Sequence, residues 1–470
     1  MSLCYSMPTP GASASRTSAA TSTAATIAGK RDPRRPDESE TTRRIRDNMT
    51  TTDKLAGVRI IDCDAHLSEP PDLWTSRVAA SRRDRVPQMR TTDGMSRWHL
   101  GDDEFCFIGG NTIRTGGEKV LGTWTVQPWS DIDPSSWGPL ARLALLDRLG
   151  LWAQVIYPNA IGFSSNALFA IDDEADRSEI QRIYNDYLVE VQQVAEDRLF
   201  PQAVLPVWDM HQTVAEMERL HEAGIRGFTL SDQPSAVGLP SLDDPYYEPM
   251  WSTGSDLGTV FNFHIGAGSR PARADSAMRE VVRTGNLSAL GAPELAFSSY
   301  GPQRRLAIIG CHGFFSNARV IVNLCMGDFF DRYPGLKIVS AESGLGWIPF
   351  VLEAMEYHLD EIITDPTERA LQQRRPTEYF REHIAVTFWF EKVGPKRVVH
   401  DVGVNNVLIE TDIPHPTCLY PDPRGRLGEA TADWDDHTRR RVFQDNAAEL
   451  YRVPLPAAPD PVPTTQETRP

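Results

Sequence analysis

The fold of this 470-residue chain is decided by Ile61-Asp62-Cys63-Asp64-Ala65-His66. Aliphatic residues lead into this stretch, which predicts a buried strand over residues 58–64. Because side chains alternate along a strand, Asp62, Asp64 and His66 are expected to share one face. Two carboxylates and an imidazole are costly to bury without a cation, and a divalent metal ion is the usual one. The simpler alternative is a carboxylate that caps the next loop beside a solvated histidine.

The composition is that of an ordinary globular protein. Hydrophobic residues make up 40% of the chain, and the formal net charge is −16. The acidic balance argues against binding to nucleic acid or to an anionic membrane surface. No apolar run is long enough to cross a bilayer. Six cysteines without C-x-x-C spacing fit free thiols in a reducing cytosol, so a cytoplasmic location is expected.

Both ends of the chain are predicted to be disordered tails. Residues 1–56 are rich in Ser, Thr, Ala and Pro and then carry mixed charge, and residues 454–470 are rich in Pro, so neither can bury a core. The first tail resembles a transit peptide in part, but interspersed acids and prolines argue against targeting. Met49 is an alternative start of the chain.

Between the tails, residues 57–453 alternate strand and helix patterns. Eight strands are predicted, over residues 58–64, 153–158, 200–207, 227–230, 259–264, 337–341, 384–388 and 406–411. Serial βα units predict a parallel sheet. A doubly wound sheet is the alternative to a (β/α)₈ TIM barrel. The barrel is favoured because nearly every ionisable candidate falls at the carboxyl end of a strand, and those ends meet at the mouth of a barrel. Residues 84–137 are predicted to form an insertion after the first strand that covers this mouth.

Three later segments add candidates at strand ends. His264 ends the fifth strand before a glycine-rich turn, Glu342 ends the sixth before Ser343-Gly344, and Asp412 ends the last. His415 follows between two prolines. For each residue alone a structural role is as plausible as a functional one. Together, two His and two Asp at successive strand ends suit one divalent ion with an open position.

These motifs, in this order, resemble the amidohydrolase-related family, in the branch of aminocarboxymuconate-semialdehyde decarboxylase-like and resorcylate decarboxylase-like enzymes. The matching segments are residues 61–66, His264-Ile-Gly, Pro334-Gly-Leu-Lys-Ile, Thr411-Asp412-Ile-Pro-His415-Pro416 and Asn446-Ala-Ala-Glu-Leu-Tyr451. The resemblance implies a TIM barrel of the metal-dependent hydrolase type. It also implies one divalent ion, with Zn²⁺ favoured and Mn²⁺ the alternative, and it allows a homodimer.

The resemblance places the metal ligands on Asp64, His66, His264 and Asp412. Asp64 replaces the commoner His of the family, as in the resorcylate decarboxylase pattern. The sixth strand departs further, since Glu342-Ser343 stands where the family has His-Gly. Glu342 or His415 is therefore the candidate proton carrier. Residues 227–232 contain no Lys, so a second, bridged metal is not expected.

The function predicted from these residues is non-oxidative decarboxylation of a small cyclic or aromatic carboxylate. Glu342 or His415 would protonate the carbon that loses CO₂. The alternative is a hydrolase of an amide, a lactone or a C–C bond, in which Asp412 takes the proton of the attacking water. A second alternative is a catalytically silent barrel that serves as a binding protein. Six aromatic residues are candidates to line the pocket, although core packing is their more ordinary role: Trp124, Trp129, Trp137, Trp347, Phe388 and Trp389.

Overall fold

The computed structural model describes residues 54–268 and 301–456. Almost all of the two predicted tails, residues 1–56 and 454–470, lies outside the described residues. Within the described parts, no helix is long and apolar enough to cross a membrane.

Eight parallel strands form the (β/α)₈ TIM barrel. They are β1 (Ile61–His66), β7 (Ala153–Tyr157), β8 (Leu199–Val204), β9 (Gly227–Leu230), β10 (Val260–His264), β11 (Lys337–Ala341), β12 (Ile384–Phe388) and β13 (Val407–Ile409), paired in that order. Beyond β13, the amide of Asp412 donates to the carbonyl of Asp64 at 2.9 Å, and that of His66 donates to Ile413 at 2.7 Å. These bonds join the last strand to the first, so the sheet closes.

The barrel interior is apolar at its amino end and polar towards its mouth. One buried apolar cluster contains Ile61, Val155, Val260 and Leu408. It also contains residues of the last helix, Asn446–Tyr451, which is called the closing helix below. The hydroxyl groups of Tyr157 and Tyr451 both donate to Asn262 Oδ1, at 3.0 and 2.8 Å. The two hydroxyl groups and the Asn262 oxygen, which form the floor of the barrel, are thereby satisfied.

Helices surround the strands and bury a second, larger apolar layer. The α-helices span Pro139–Leu149, Glu174–Val194, Met210–Glu222, Glu248–Leu257, Pro302–Cys325, Phe329–Arg332, Ile348–Ile362, Pro366–Leu371, Pro376–His383, Val393–Val402, Pro423–Ala430, Asp436–Arg440 and Asn446–Tyr451, with a π-helical turn at Arg441–Asp445. Three residues, 326–328, separate the long helix Pro302–Cys325 from the short helix Phe329–Arg332.

The segment after the first strand contains two small antiparallel sheets. One has the strands β2 (Gln88–Thr92), β3 (Met95–Leu100) and β4 (Asp103–Cys106), and the other is the hairpin of β5 (Ile113–Arg114) and β6 (Glu118–Lys119).

One prediction about β1 is wrong. The pairing of β1 with β7 shifts register between Asp62 and Ala65, so strict alternation fails there. Asp62 accepts hydrogen bonds from Gln154 Nε2 at 2.7 Å and from the amide of Thr411 at 2.8 Å. Asp62 is therefore occupied by protein donors and does not join Asp64 and His66.

Candidate metal centre

Five of the six predicted site residues meet at the carboxyl ends of four strands. His264 Nε2 lies 3.2 Å from Asp64 Oδ2 and 3.5 Å from Glu342 Oε2. His66 Nε2 lies 3.5 Å from Asp64 Oδ1 and 3.7 Å from Asp412 Oδ1. The side chains of Asp64, His66, His264 and Asp412 are fully buried, and that of Glu342 is 12% exposed.

The two histidines are held in the tautomer that a metal requires. His66 Nδ1 lies 3.0 Å from the carbonyl oxygen of Pro158, and His264 Nδ1 lies 2.7 Å from that of Ile265. A carbonyl only accepts, so each Nδ1 carries the proton and donates it. Each Nε2 then points a lone pair at the carboxylates, as in metal sites whose histidines are oriented by backbone carbonyls.

The atoms that face one another have no hydrogen-bond partners among the described residues. They are Asp64 Oδ1 and Oδ2, His66 Nε2 and His264 Nε2. Asp412 Oδ1 faces the same point and also lies 2.8 Å from His415 Nδ1. Asp64, His66 and His264 alone bring three ligand atoms within 4.8 Å of one another. Buried polar atoms are almost always paired, and four unpaired ligand atoms that face one point fit a cation. Two imidazoles and two carboxylates are donors that suit Zn²⁺ or Mn²⁺.

The electrostatics of the cluster agree with this fit. Burial, together with the Asp412 and Asp62 carboxylates, raises the pKa of Asp64 well above its usual range. Burial lowers the pKa of His66 far below its usual range, and lowers that of His264 to about 4. The imidazoles are thus neutral at neutral pH and do not compensate the carboxylates. A divalent cation would compensate their negative charge.

Glu342 and Asp412 both lie in the left-handed region of backbone conformation, with φ of 52° and 58°. Non-glycine residues rarely adopt it, and such strain is concentrated at functional sites. The Glu342 amide donates to Thr387 Oγ1 and to Glu410 Oε2, both at 3.0 Å. Burial, then the carboxylates of Asp412, Asp64 and Glu410, raise the pKa of Glu342 well above its usual range.

His415 is buried beside the cluster and stacks on His66, with ring centroids 3.7 Å apart and planes at 20°. Its Nδ1 lies 2.8 Å from Asp412 Oδ1. The other oxygen of Asp412 accepts from Thr417 Oγ1 at 2.8 Å. His415 also belongs to a second group, with His66 and Asp412, whose atoms lie close enough to share an ion.

Asn159, at the end of β7, fixes the opposite edge of His415. Its Oδ1 accepts from the Gly110 amide at 2.9 Å, and His415 Nε2 lies 3.2 Å from the same oxygen. Since that oxygen is an acceptor, Nε2 donates its proton to Asn159. A Cβ at Gly110 would lie only 2.6 Å from His415 Cδ2, so only glycine lets this loop approach so closely.

A buried hydrogen-bond network that includes Asp62 supports the site. Gln154 bridges Asp62 to Arg142 of the helix Pro139–Leu149, with Arg142 Nη1 donating to Gln154 Oε1 at 3.0 Å. Arg142 is fully buried and also donates to the His66 carbonyl at 2.7 Å. The network fixes the backbone at His66.

Aromatic rings border the cluster. Phe163, after β7, has its centroid 4.1 Å from that of His264, 4.9 Å from that of His66 and 5.7 Å from that of His415. Trp124 lies 5.6 Å from His415. The remaining aromatic candidates have their ring contacts or indole bonds elsewhere: Trp129 with Trp137, Phe388 with Trp434, Trp389 with Phe314, and Trp347 with the Ser343 carbonyl.

Sequence reasoning overlooked Asn159, Phe163 and Glu410. Asn159 directly follows Tyr157-Pro158 at a predicted strand end, which is the signal that singled out the other candidates. Glu410 stands two residues before Asp412, within the predicted strand over residues 406–411. Phe163 carries no comparable signal, because a lone Phe in a loop is indistinguishable from a core residue.

Three solved structures share this architecture. An amidohydrolase from Mycobacterium avium subsp. paratuberculosis K-10 is 19% identical with a TM-score of 0.61, covering 84% of this chain and 98% of its own. Metarhizium anisopliae IDCase in apo form is 16% identical with a TM-score of 0.56, and the match covers 86% of this chain and 99% of that chain. Dihydroxybenzoic acid decarboxylase from Polaromonas sp. JS666, with bound manganese and the inhibitor 2-nitroresorcinol, is 19% identical with a TM-score of 0.51, covering 84% and 96%. At these identities the likeness establishes the fold.

No curated protein matches the sequence significantly. The family model described as amidohydrolase, in contrast, matches residues 61–453, from the first residue of β1 to just beyond the closing helix. The match includes every residue of the cluster described above. The chain belongs to the amidohydrolase family.

Proposed function

We propose that the protein is a metal-dependent carboxy-lyase that removes CO₂ from a small cyclic or aromatic carboxylate. The observation that carries the proposal is the set of four unpartnered ligand atoms on Asp64, His66 and His264, with Asp412 Oδ1 and the Glu342 carboxyl group beside them. The manganese-bound decarboxylase among the structures of the same fold supports it.

Asp64, His66, His264 and Asp412 would hold one ion, Zn²⁺ or Mn²⁺. When bound, such an ion neutralises the carboxylates and polarises the oxygens of a substrate. The chain's contribution is a rigid and dry frame, because the backbone carbonyls of Pro158 and Ile265 fix the imidazoles.

Glu342 is the proton carrier in this proposal. Four carboxyl groups, of Asp64, Glu342, Glu410 and Asp412, influence one another here, and one divalent ion offsets two negative charges. The negative charge that the ion does not offset favours the protonated form of Glu342. Its proton passes to the ring carbon that bears the carboxylate; the bond to the carboxylate then breaks, its electron pair stays with the ring, and CO₂ leaves. Solvent reprotonates Glu342.

His415 is assigned a positioning role. Both of its nitrogens face protein groups, Asn159 Oδ1 at 3.2 Å and Asp412 Oδ1 at 2.8 Å. It therefore orients Asp412, and it is a weaker candidate than Glu342 for transfer to carbon.

Hydrolysis of an amide, lactone or C–C bond is the competing reaction, with Asp412 as the base for an attacking water. The Asp412–His415 contact favours this alternative. A silent barrel is disfavoured by the strained backbone of Glu342 and Asp412, which a scaffold does not require.

The first test is metal content. We expect about one Zn or Mn per chain by inductively coupled plasma mass spectrometry of protein purified without added metal, and its loss in Asp412→Ala. No metal, even after reconstitution with either ion, would refute the proposal and favour a binding protein.

The second test is CO₂ release from a panel of hydroxybenzoates, run beside amides and lactones. In D₂O the product should carry deuterium on the carbon that lost CO₂. Glu342→Gln should lower turnover at least about a hundredfold with metal content unchanged, whereas Glu353→Gln, an exposed carboxyl on the next helix, should have no effect. Amide or lactone turnover without CO₂ release would establish the hydrolase instead.

The proposal also includes a cytoplasmic location and a homodimer. Fluorescence imaging of the tagged chain tests the first, and light scattering of the purified protein tests the second.

A further inference from the structure

The geometry points to Phe163 as the residue that selects a planar ring in the substrate, an inference that rests on the proposed function. Phe163 packs against the rings of both candidate metal-binding histidines and of His415, at centroid distances of 4.1 to 5.7 Å. Its side chain is partly exposed, unlike the fully buried histidines beneath it.

Phe163 lies on the open side of the ligand cluster. It belongs to the loop that follows the carboxyl end of β7, and the barrel floor of Tyr157, Asn262 and Tyr451 closes the other side. A ligand that reaches the unpartnered His and Asp atoms must come from the mouth. It therefore passes the Phe163 ring.

The loop holds this ring in a fixed position. The Phe163 carbonyl accepts a hydrogen bond from Thr229 Oγ1, and Ser164 Oγ donates to the Ala267 carbonyl at 2.7 Å. Gly266, with φ of +80°, lies beneath the ring, where a Cβ would be 3.7 Å from its atoms. The ring is thus anchored on two sides to the β9 and β10 ends and acts as a wall.

A second aromatic side chain also borders His415. The Trp124 ring lies 5.6 Å from His415, and its indole N–H is buried without an acceptor among the described residues. A flat ring on Phe163 would gain offset stacking, and an oxygen on that ring would be a suitable acceptor for the Trp124 N–H. A puckered saturated ring would lose the stacking.

The test compares two ligands with the same oxygens, salicylate and trans-2-hydroxycyclohexanecarboxylate. Their dissociation constants are measured by isothermal titration calorimetry on the full chain loaded with Mn²⁺. In the wild type we expect salicylate to bind at least about tenfold more tightly. Phe163→Leu should reduce this preference by about fivefold, the size of one aromatic contact, whereas Phe163→Tyr should keep it.

Phe350→Leu is the matched control, because Phe350 is 75% exposed on the helix Ile348–Ile362, and it should keep the full preference. Phe163→Met replaces Phe163→Leu if the latter fails to fold or to retain Mn²⁺. An unchanged preference in the non-aromatic variant, or no binding of either ligand to the loaded wild type, would overturn the inference. Because binding needs no turnover, lost preference in Phe163→Leu without CO₂ release from any substrate would refute only the decarboxylase reaction.

Discussion

Asp64→Asn should separate the stability of the metal-free protein from its capacity to bind metal. Asp64 is fully buried, and neither of its carboxylate oxygens has a hydrogen-bond partner among the described residues. An unpaired buried polar group costs about 1–3 kcal/mol. The amide removes the charge that repels Asp412 and Asp62, so in EDTA the variant should be at least as stable as the wild type.

Metal should reverse this order. At a free concentration of 100 Kd, an ion that binds only the folded state stabilises it by about 2.7 kcal/mol. A variant whose Kd has risen a hundredfold gains about 0.4 kcal/mol at the same concentration. With an unfolding entropy of about 0.8 kcal/mol per degree for a barrel of this size, Tm should rise by about 3 °C in the wild type and about 0.5 °C in Asp64→Asn.

Differential scanning calorimetry in EDTA and in matched Zn²⁺ or Mn²⁺ measures both effects. Asp62→Asn is the matched control, two residues away on the same strand. Asp62 accepts from Gln154 and Thr411 and offers no free oxygen to the ion, so its variant should lose about 1–3 kcal/mol in EDTA and keep most of the metal response. Equal metal responses in Asp64→Asn and the wild type would refute the assignment of Asp64 as a ligand.

Three further predictions concern the surroundings of the candidate metal site. The pKa of His264 is lowered to about 4, so between pH 6.5 and 4 the unfolded chain binds more protons at this residue than the folded protein does. The metal-free protein should therefore lose about 3 kcal/mol of unfolding free energy as pH falls through that window. Denaturant titrations should show a smaller loss in His264→Asn. Gly110→Ala should displace His415 and weaken metal binding about tenfold in a competition assay with a chelator, whereas Gly310→Ala, whose Cβ meets no atom within 4 Å, should not. Arg142→Met should cost about 3 kcal/mol of unfolding free energy, and urea titrations of a double-mutant cycle with Asp62→Asn should recover part of that cost; strict additivity would show that the two buried groups are not coupled.

The sequence alone determined the barrel and predicted the four candidate metal ligands. Each predicted barrel strand matches an observed one to within about three residues, because short apolar runs between helical patterns have few alternatives in an α/β chain. The carboxyl ends of all barrel strands lie at the same end of the barrel. His264 and Asp412, which are far apart in sequence, could therefore be predicted to lie at one mouth. The departure at Glu342 was likewise evident from the sequence.

Tertiary structure decided what local periodicity does not encode. The register shift in β1 separated Asp62 from Asp64, because a bulge depends on the partner strand and not on alternation. His415 contacts Asn159, which is 256 residues away in sequence. The position of Phe163 depends on contacts with β9 and β10. These features arise from packing between segments that are distant in sequence. The hydrophobic pattern along the chain does not specify which side chains of such segments come into contact.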